Sequence, residues 1–129
     1  MEDVRMERLL LLFLAGGAGT LARYGMQTIV QRLAGPAFPW GTFMVNVSGS
    51  FLFGLLWIVA ADRNLLNTDA RLIILTGFLG AYTTFSTFMF DTTRLFDESQ
   101  FLAGGLNVVG QVIIGLMATY AGMVAGRLL

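Results

Sequence analysis

The chain has 129 residues and 14.0 kDa, of which 56% are hydrophobic and only 12% charged, with a mean hydropathy of +0.73. Soluble domains carry about 25% charged residues, and a body this small has too much surface to cover with so few, so the composition excludes a soluble fold. Eight Arg balance eight Asp plus Glu, and the lack of Lys, Cys and His removes any basic nucleic-acid face, disulfide, thiolate or imidazole base, which sets catalysis aside.

A bilayer core takes about 20 mostly apolar residues per helix, and four stretches meet that length. Residues 9–30 hold one charge, Arg23, whereas 40–61, 72–90 and 101–126 hold none. The connectors carry the breakers and charges: Arg32, Gly35, Pro36 and Pro39, then Asp62, Arg63, Asn64, Asn67 and Asp69, then Asp91, Arg94, Asp97, Glu98 and Ser99. Links this short join only neighbouring helices that run in opposite directions. The expected fold is an all-α membrane protein, a single integral domain over 1–129 with four transmembrane helices.

The first stretch also admits a secretory signal, because Arg5 and Arg8 precede the apolar run 9–15 and the small residues 16–19. Glu2, Asp3 and Glu7 cancel that basic region and the apolar character continues to Val30, so a retained helix is expected. Arg23 is the one charge inside a span. Such a residue marks function unless it snorkels to a helix end, and either role fits here. Arg5, Arg8, Arg63, Arg71 and Arg127 on one side, against Arg32 and Arg94 on the other, favour both termini in the cytoplasm.

In lipid, helices associate through small residues that let backbones approach. Ala15 and Gly19, Ser50 and Gly54, and Ala118, Gly122 and Gly126 each fall four apart, which suits packing within one chain or between copies. Four short helices enclose no wide cavity, so a pathway is more easily built between subunits, and an oligomer is expected.

In the third stretch, two glycines, Gly77 and Gly80, stand close to the hydroxyls of Thr83, Thr84, Ser86 and Thr87 and weaken a continuous helix. Broken backbone at membrane depth often marks an ion site, and a kinked packing helix fits the same residues. Phe85 and Phe88, three apart, share a helical face that meets either lipid or a pathway. Ring edges are positive, so a dehydrated small anion could rest against them while Asn46 and the hydroxyls replace its lost water. On the fourth stretch Asn107 and Gln111, four apart, form a polar stripe that lines a pathway or bonds neighbouring helices.

With these residues assembled, the chain resembles the Fluc (CrcB) family of fluoride channels. The likeness runs through residues 16–24 (GGAGTLARY), 39–46 (PWGTFMVN) and 77–88 (GFLGAYTTFSTF) to a polar fourth helix. The resemblance implies an antiparallel dual-topology homodimer in a prokaryotic inner membrane, with two pores near its interface and fluoride, lipid and an identical subunit as partners. It implies that Phe85 and Phe88 face fluoride, that Asn46, Thr42, Ser86, Thr87 and Asn107 line its path, and that Arg23 stands in a vestibule. It also implies a third helix broken at mid-membrane, where the main-chain carbonyls of Gly80 and Thr83 hold a structural sodium ion at the dimer centre. Asp91 stands where Glu is common, and Gln111 and Gly115 where some members carry hydroxyls. Two rivals are a small multidrug exporter, which needs a buried carboxylate that these spans lack, and an assembly subunit with no transport of its own.

Overall fold

Both prolines of the chain fall in the first connector, so no residue interrupts the backbone ladder before it. The computed structural model accordingly has one long helix there, α1 (Glu2–Ala34), which exceeds the expected 9–30 at both ends. The structure describes residues 2–61 and 65–129, the side chains of 2–4 excepted; Asp62, Arg63 and Asn64 of the expected second connector lie outside the described residues.

Helix α1 stops at Gly35, whose φ of 86° is a left-handed conformation that costs glycine little. One side chain then sets the turn. Gln31 Nε2 donates to the carbonyls of Gly35 (2.6 Å) and Phe38 (2.9 Å), and its Oε1 accepts the Gly41 N–H at 3.1 Å. Chain reversal into α2 (Trp40–Ala61) is therefore tied at three points by a single amide.

The third span is interrupted twice. Residues 68–82, here α3, start as an α-turn capped by Asn67, whose Oδ1 accepts the Ala70 N–H at 2.8 Å. They widen to a π-helix over Ile73–Leu79 and regain α geometry at Gly80–Tyr82. Thr83 (ψ 157°) and Thr84 (φ −148°, ψ 112°) are then extended before α4 (Phe85–Asp97) begins. The expected break is present, but it lies at the two threonines. Gly77 and Gly80 remain helical. Helix α4 runs seven residues past the expected end at 90, since 97 − 90 = 7. Asp91 and Arg94, expected in a connector, are therefore helical, and only three residues, 98–100, lead to α5 (Phe101–Leu128).

Close backbone approach joins α2 to α5. A Cβ on Gly54 would collide with the Thr119 carbonyl oxygen, and one on Gly122 with that of Phe51. At these positions the small-residue stripes serve contacts within the chain. A cluster of Val45, Leu75, Leu79 and Tyr82 fills the space between α2 and α3, with Leu52, Leu56 and Phe78 around it. At the N-terminal end of the bundle Arg8 pairs with Asp69 at 2.7 Å, and Arg71 lies 4.1 Å above the Trp57 ring, so two of the arginines counted on one side do share it.

Among the described residues four helices, with the third span taken as Thr68–Asp97, are long and apolar enough to cross a membrane. Large apolar side chains such as Phe13, Leu33 and Leu102 remain exposed on the bundle, the arrangement expected when lipid is the solvent. Gly122→Ala should lower stability by about 1–3 kcal/mol, because one methyl group has to push α5 off α2. Thermal unfolding in detergent micelles reads this directly, and an unchanged midpoint would mean that the two helices can separate freely.

Candidate functional site

Breaking a helix inside a bilayer frees backbone groups that need new partners. Here α2 supplies them. Asn46 Oδ1 accepts the Thr84 N–H at 2.8 Å, and Asn46 Nδ2 donates to the Thr84 carbonyl at 3.0 Å. Thr84 in turn caps α4, its Oγ1 accepting the Thr87 N–H at 3.2 Å and donating to Thr87 Oγ1 at 2.9 Å. A backbone N–H can only donate, so the Asn46 amide has one orientation.

From that fixed amide a chain of hydrogen bonds runs through α5 to α4. Asn46 Nδ2 donates to Gln111 Oε1 (2.7 Å), Gln111 Nε2 to Asn107 Oδ1 (2.9 Å), Asn107 Nδ2 to Thr92 Oγ1 (2.9 Å), and Thr92 Oγ1 to the Phe88 carbonyl (2.8 Å). Thr92, Asn107 and Gln111 are buried, and among the described residues no buried side-chain nitrogen or oxygen lacks a partner. A fully satisfied network of this kind is rigid.

An open cavity of about 370 Å³ lies against this network, walled by Asn46, Ser50, Thr84, Phe85, Phe88 and Gln111 among others, all uncharged. The Phe85 and Phe88 rings meet edge to face, with centroids 5.8 Å apart and planes at 75°. Phe88 is buried at 5% exposure, whereas Phe85 is 73% exposed on the surface of the single chain. A second cavity of about 230 Å³ holds the charges: Asp91 and Arg94 line it with Gln27, Gln31, Thr42 and Thr87. There Thr42 Oγ1 donates to Asp91 Oδ2 at 2.7 Å and accepts from Gln27 Nε2 at 3.2 Å.

The structure thus brings Asn46, Phe85 and Phe88 to one cavity and separates the others. Thr42 and Thr87 belong to the second cavity. Ser86 is exposed, with Thr84 Oγ1 at 3.5 Å. Asn107, expected on the path, is fully buried and does not line the cavity, whose α5 wall is Gln111, Val112 and Thr119. Gln111 and Thr84, which the sequence offered as lining or as packing groups, are on the wall, and Ser50 is a wall residue that the sequence marked only as a small packing residue. Arg23 does not snorkel to a helix end: its Nη1 lies 3.5 Å from the Thr83 carbonyl oxygen, at the break itself.

That break also bears on an ion. The Thr84 N–H, which in an unbroken helix would return to the Gly80 carbonyl, goes to Asn46, and the Thr87 N–H, due to Thr83, goes to the Thr84 hydroxyl. Both carbonyls therefore lose their regular helical donor, and Gly80 is exposed on the single chain. Among the described residues there is no cluster of His, Cys, Asp or Glu that could hold a metal. Main-chain oxygens freed from a helix are hard ligands that suit an alkali cation and exclude a softer metal.

Comparison with known proteins gives a consistent picture. The model of the family described as "CrcB-like protein, Camphor Resistance (CrcB)" matches residues 10–123. The chain is 49% identical to the fluoride-specific ion channel FluC of Solidesulfovibrio magneticus over 124 residues, covering 96% of this chain and 99% of the relative. It is 48% identical to the protein of that name from Nitratidesulfovibrio vulgaris strain Miyazaki F, over 95% of this chain and 99% of the relative. For that of Geobacter sulfurreducens the identity is 43%, over 95% and 98%.

Asn46→Leu keeps the branching of the side chain at Cγ and removes the partners of both Thr84 backbone groups. At about 1–3 kcal/mol for each orphaned group, the variant should lose roughly 2–6 kcal/mol. A wild-type unfolding midpoint in micelles would mean that the break is sealed by other means.

Proposed function

The chain belongs to the CrcB-like family, and we propose on that premise that it is a fluoride-selective channel through which cytoplasmic fluoride leaves passively across a bacterial inner membrane. The observation that carries this reading is the uncharged cavity at the helix break, lined by an amide, hydroxyls and two phenyl rings that meet edge to face.

Fluoride is small and holds its water tightly, so a membrane pathway has to replace that water at close quarters. The Ser50 hydroxyl can supply a polar hydrogen, Asn46 and Thr84 can do so once an ion replaces Gln111 and Thr87 as their acceptors, and the rims of Phe85 and Phe88 would add weakly positive C–H edges. Neutral donors favour an anion without trapping it, which lets the ion move on. Arg23 biases the approach toward anions. Fluoride enters as the neutral acid and is held inside as the anion. An interior-negative potential then drives exit by roughly 2.3 kcal/mol per 100 mV. No pump, nucleotide site or coupling ion is required.

The working unit on this reading is an antiparallel homodimer. In α1 only 6% of the most apolar window is buried within the chain, and Phe85 stands open on its surface, so a second copy could cover both. The carbonyls of Gly80 and Thr83 would hold the sodium ion between the two chains, where it supplies a structural cross-link. Arg23 reaches the Thr83 oxygen only at 3.5 Å, the long limit of a hydrogen bond, and a carbonyl has a second lone pair to give.

Liposomes loaded with fluoride or chloride test the proposal. Fluoride should leave far faster than from empty vesicles while chloride stays behind; equal efflux of the two would end the claim of selectivity. Phe88→Ile should cut fluoride efflux by at least about tenfold, the equivalent of one lost anion–ring contact of roughly 1.4 kcal/mol, with elution from a sizing column unchanged. Gly80→Val should shift the protein toward monomer and weaken its response to added sodium, and an unaltered dimer would remove the shared ion from the account.

A further inference from the structure

The hydrogen-bond chain between Asn46 and Phe88 has a direction, and as it stands that direction opposes an anion. Asn46 has no amide hydrogen to offer: one goes to the Thr84 carbonyl at 3.0 Å, the other to Gln111 Oε1 at 2.7 Å. An ion arriving in the cavity, whose wall includes both residues, finds the Asn46 hydrogen already taken by the Gln111 oxygen, a centre of partial negative charge. Asn46 cannot turn to help, because the Thr84 N–H holds its oxygen. Gln111 is held only by side-chain amides: the Asn46 hydrogen fixes its oxygen until an anion takes that hydrogen, and Asn107 can turn with it.

On the fluoride-channel reading above, we propose that Gln111 is an anion-binding residue that acts by reversing this chain of hydrogen bonds. Half a turn of its amide aims Nε2 at the cavity and Oε1 at Asn107. Asn107 turns likewise, giving its Nδ2 hydrogen to Gln111 and presenting Oδ1 to Thr92. The Thr92 hydroxyl then swings its hydrogen from the Phe88 carbonyl to Asn107. Phe88 keeps its place in α4, where the Thr92 N–H is the regular helical partner of its carbonyl. No proton changes owner.

The exchange balances in number. Two bonds are lost, Asn46 to Gln111 and Thr92 to Phe88. Two are gained, from Asn46 and from Gln111 to the anion, and the links between Gln111, Asn107 and Thr92 persist with donor and acceptor swapped. Hydrogen bonds to an ion are about twice as strong as neutral ones, so binding drives the reversal. Asn107, which never touches the ion, acts as a positioning residue: without its hydrogen, the turned Gln111 oxygen would be buried and unpaired.

Fluoride efflux from liposomes and side-chain amide NMR of the full chain in micelles test this together. Gln111→Met, similar in shape but unable to donate, should slow fluoride efflux about tenfold or more, as befits one hydrogen bond to a charged group. Gln111→Ser should slow efflux less than Gln111→Met does, because a hydroxyl still donates a hydrogen and rotates it without help from a neighbour. Asn107→Leu should impair the parent strongly and add little in the Q111S background, a coupling that a merely structural role would not produce. Fluoride, and not chloride, should shift the side-chain 15N resonances of both Gln111 and Asn107. Efflux from Q111M equal to or faster than wild type would make Gln111 a plug and overturn the inference alone, as would a fluoride-insensitive Asn107 amide. A wild-type chain that passes no fluoride would overturn the channel reading and this inference with it.

Discussion

The structure depends on one pairing: the side-chain amide of Asn46 against both backbone groups of Thr84. Inside a bilayer an unpaired N–H or C=O costs several kcal/mol, so a span can break only where something else completes its hydrogen bonds. Asn46 is the same size as the peptide unit it replaces and offers one acceptor beside two donors. It therefore closes the gap left by the two extended threonines and keeps one hydrogen over. The break, the start of α4 and the orientation of Phe88 all follow from that seal, because Thr84 can cap α4 only once its own backbone is satisfied.

Packing decides what the remaining hydrogen meets. Gly54 and Gly122 bring α2 and α5 to backbone contact, closer than any side chain with a Cβ would permit. At that separation Gln111 reaches Asn46 at 2.7 Å, and Asn107 falls fully inside the bundle. The small residues and the polar stripe, which look like separate features of the sequence, are thus two parts of one arrangement: the first sets a distance that the second needs. Close packing of this type also excludes water from the network, which strengthens each of its hydrogen bonds and makes their direction matter.

Much of this could be read in advance, and the parts that could not have physical causes. Residues 40–61 are helical as expected, and Pro39 stands just before the first of them. The break in the third span was legible from its glycines and hydroxyls, but its position was not. Gly77 and Gly80 stay helical, and the opening falls where a side chain on another helix can seal it, a long-range fact. The π-helix over Ile73–Leu79 has no local signal, since that run of apolar residues suits an α-helix equally well. Charge misplaced the end of α4: Asp91 and Arg94 read as a loop, yet a helix long enough to leave the hydrocarbon carries charges on its outer turns. Asn107 and Gln111 were legible as a stripe. Which of the two faces the cavity depends on how α5 crosses α2.

The distribution of charge gives the last step. Arg23, Asp91 and Arg94 all lie near the pathway, but none of them lines the cavity that holds Asn46 and Phe88. A guanidinium in that cavity would bind fluoride more strongly and release it more slowly, because at short range and low dielectric a full charge outweighs any number of phenyl edges. Conduction needs entry and exit to be comparably easy. On the channel reading, the arginines held outside that cavity would raise the local concentration of anions, while the neutral dipoles of the cavity would bind only as firmly as lost water requires. A division between charged surroundings and an uncharged cavity is therefore what the proposed anion pathway needs, and it rests on a buried network of side chains whose hydrogen bonds are made within the chain.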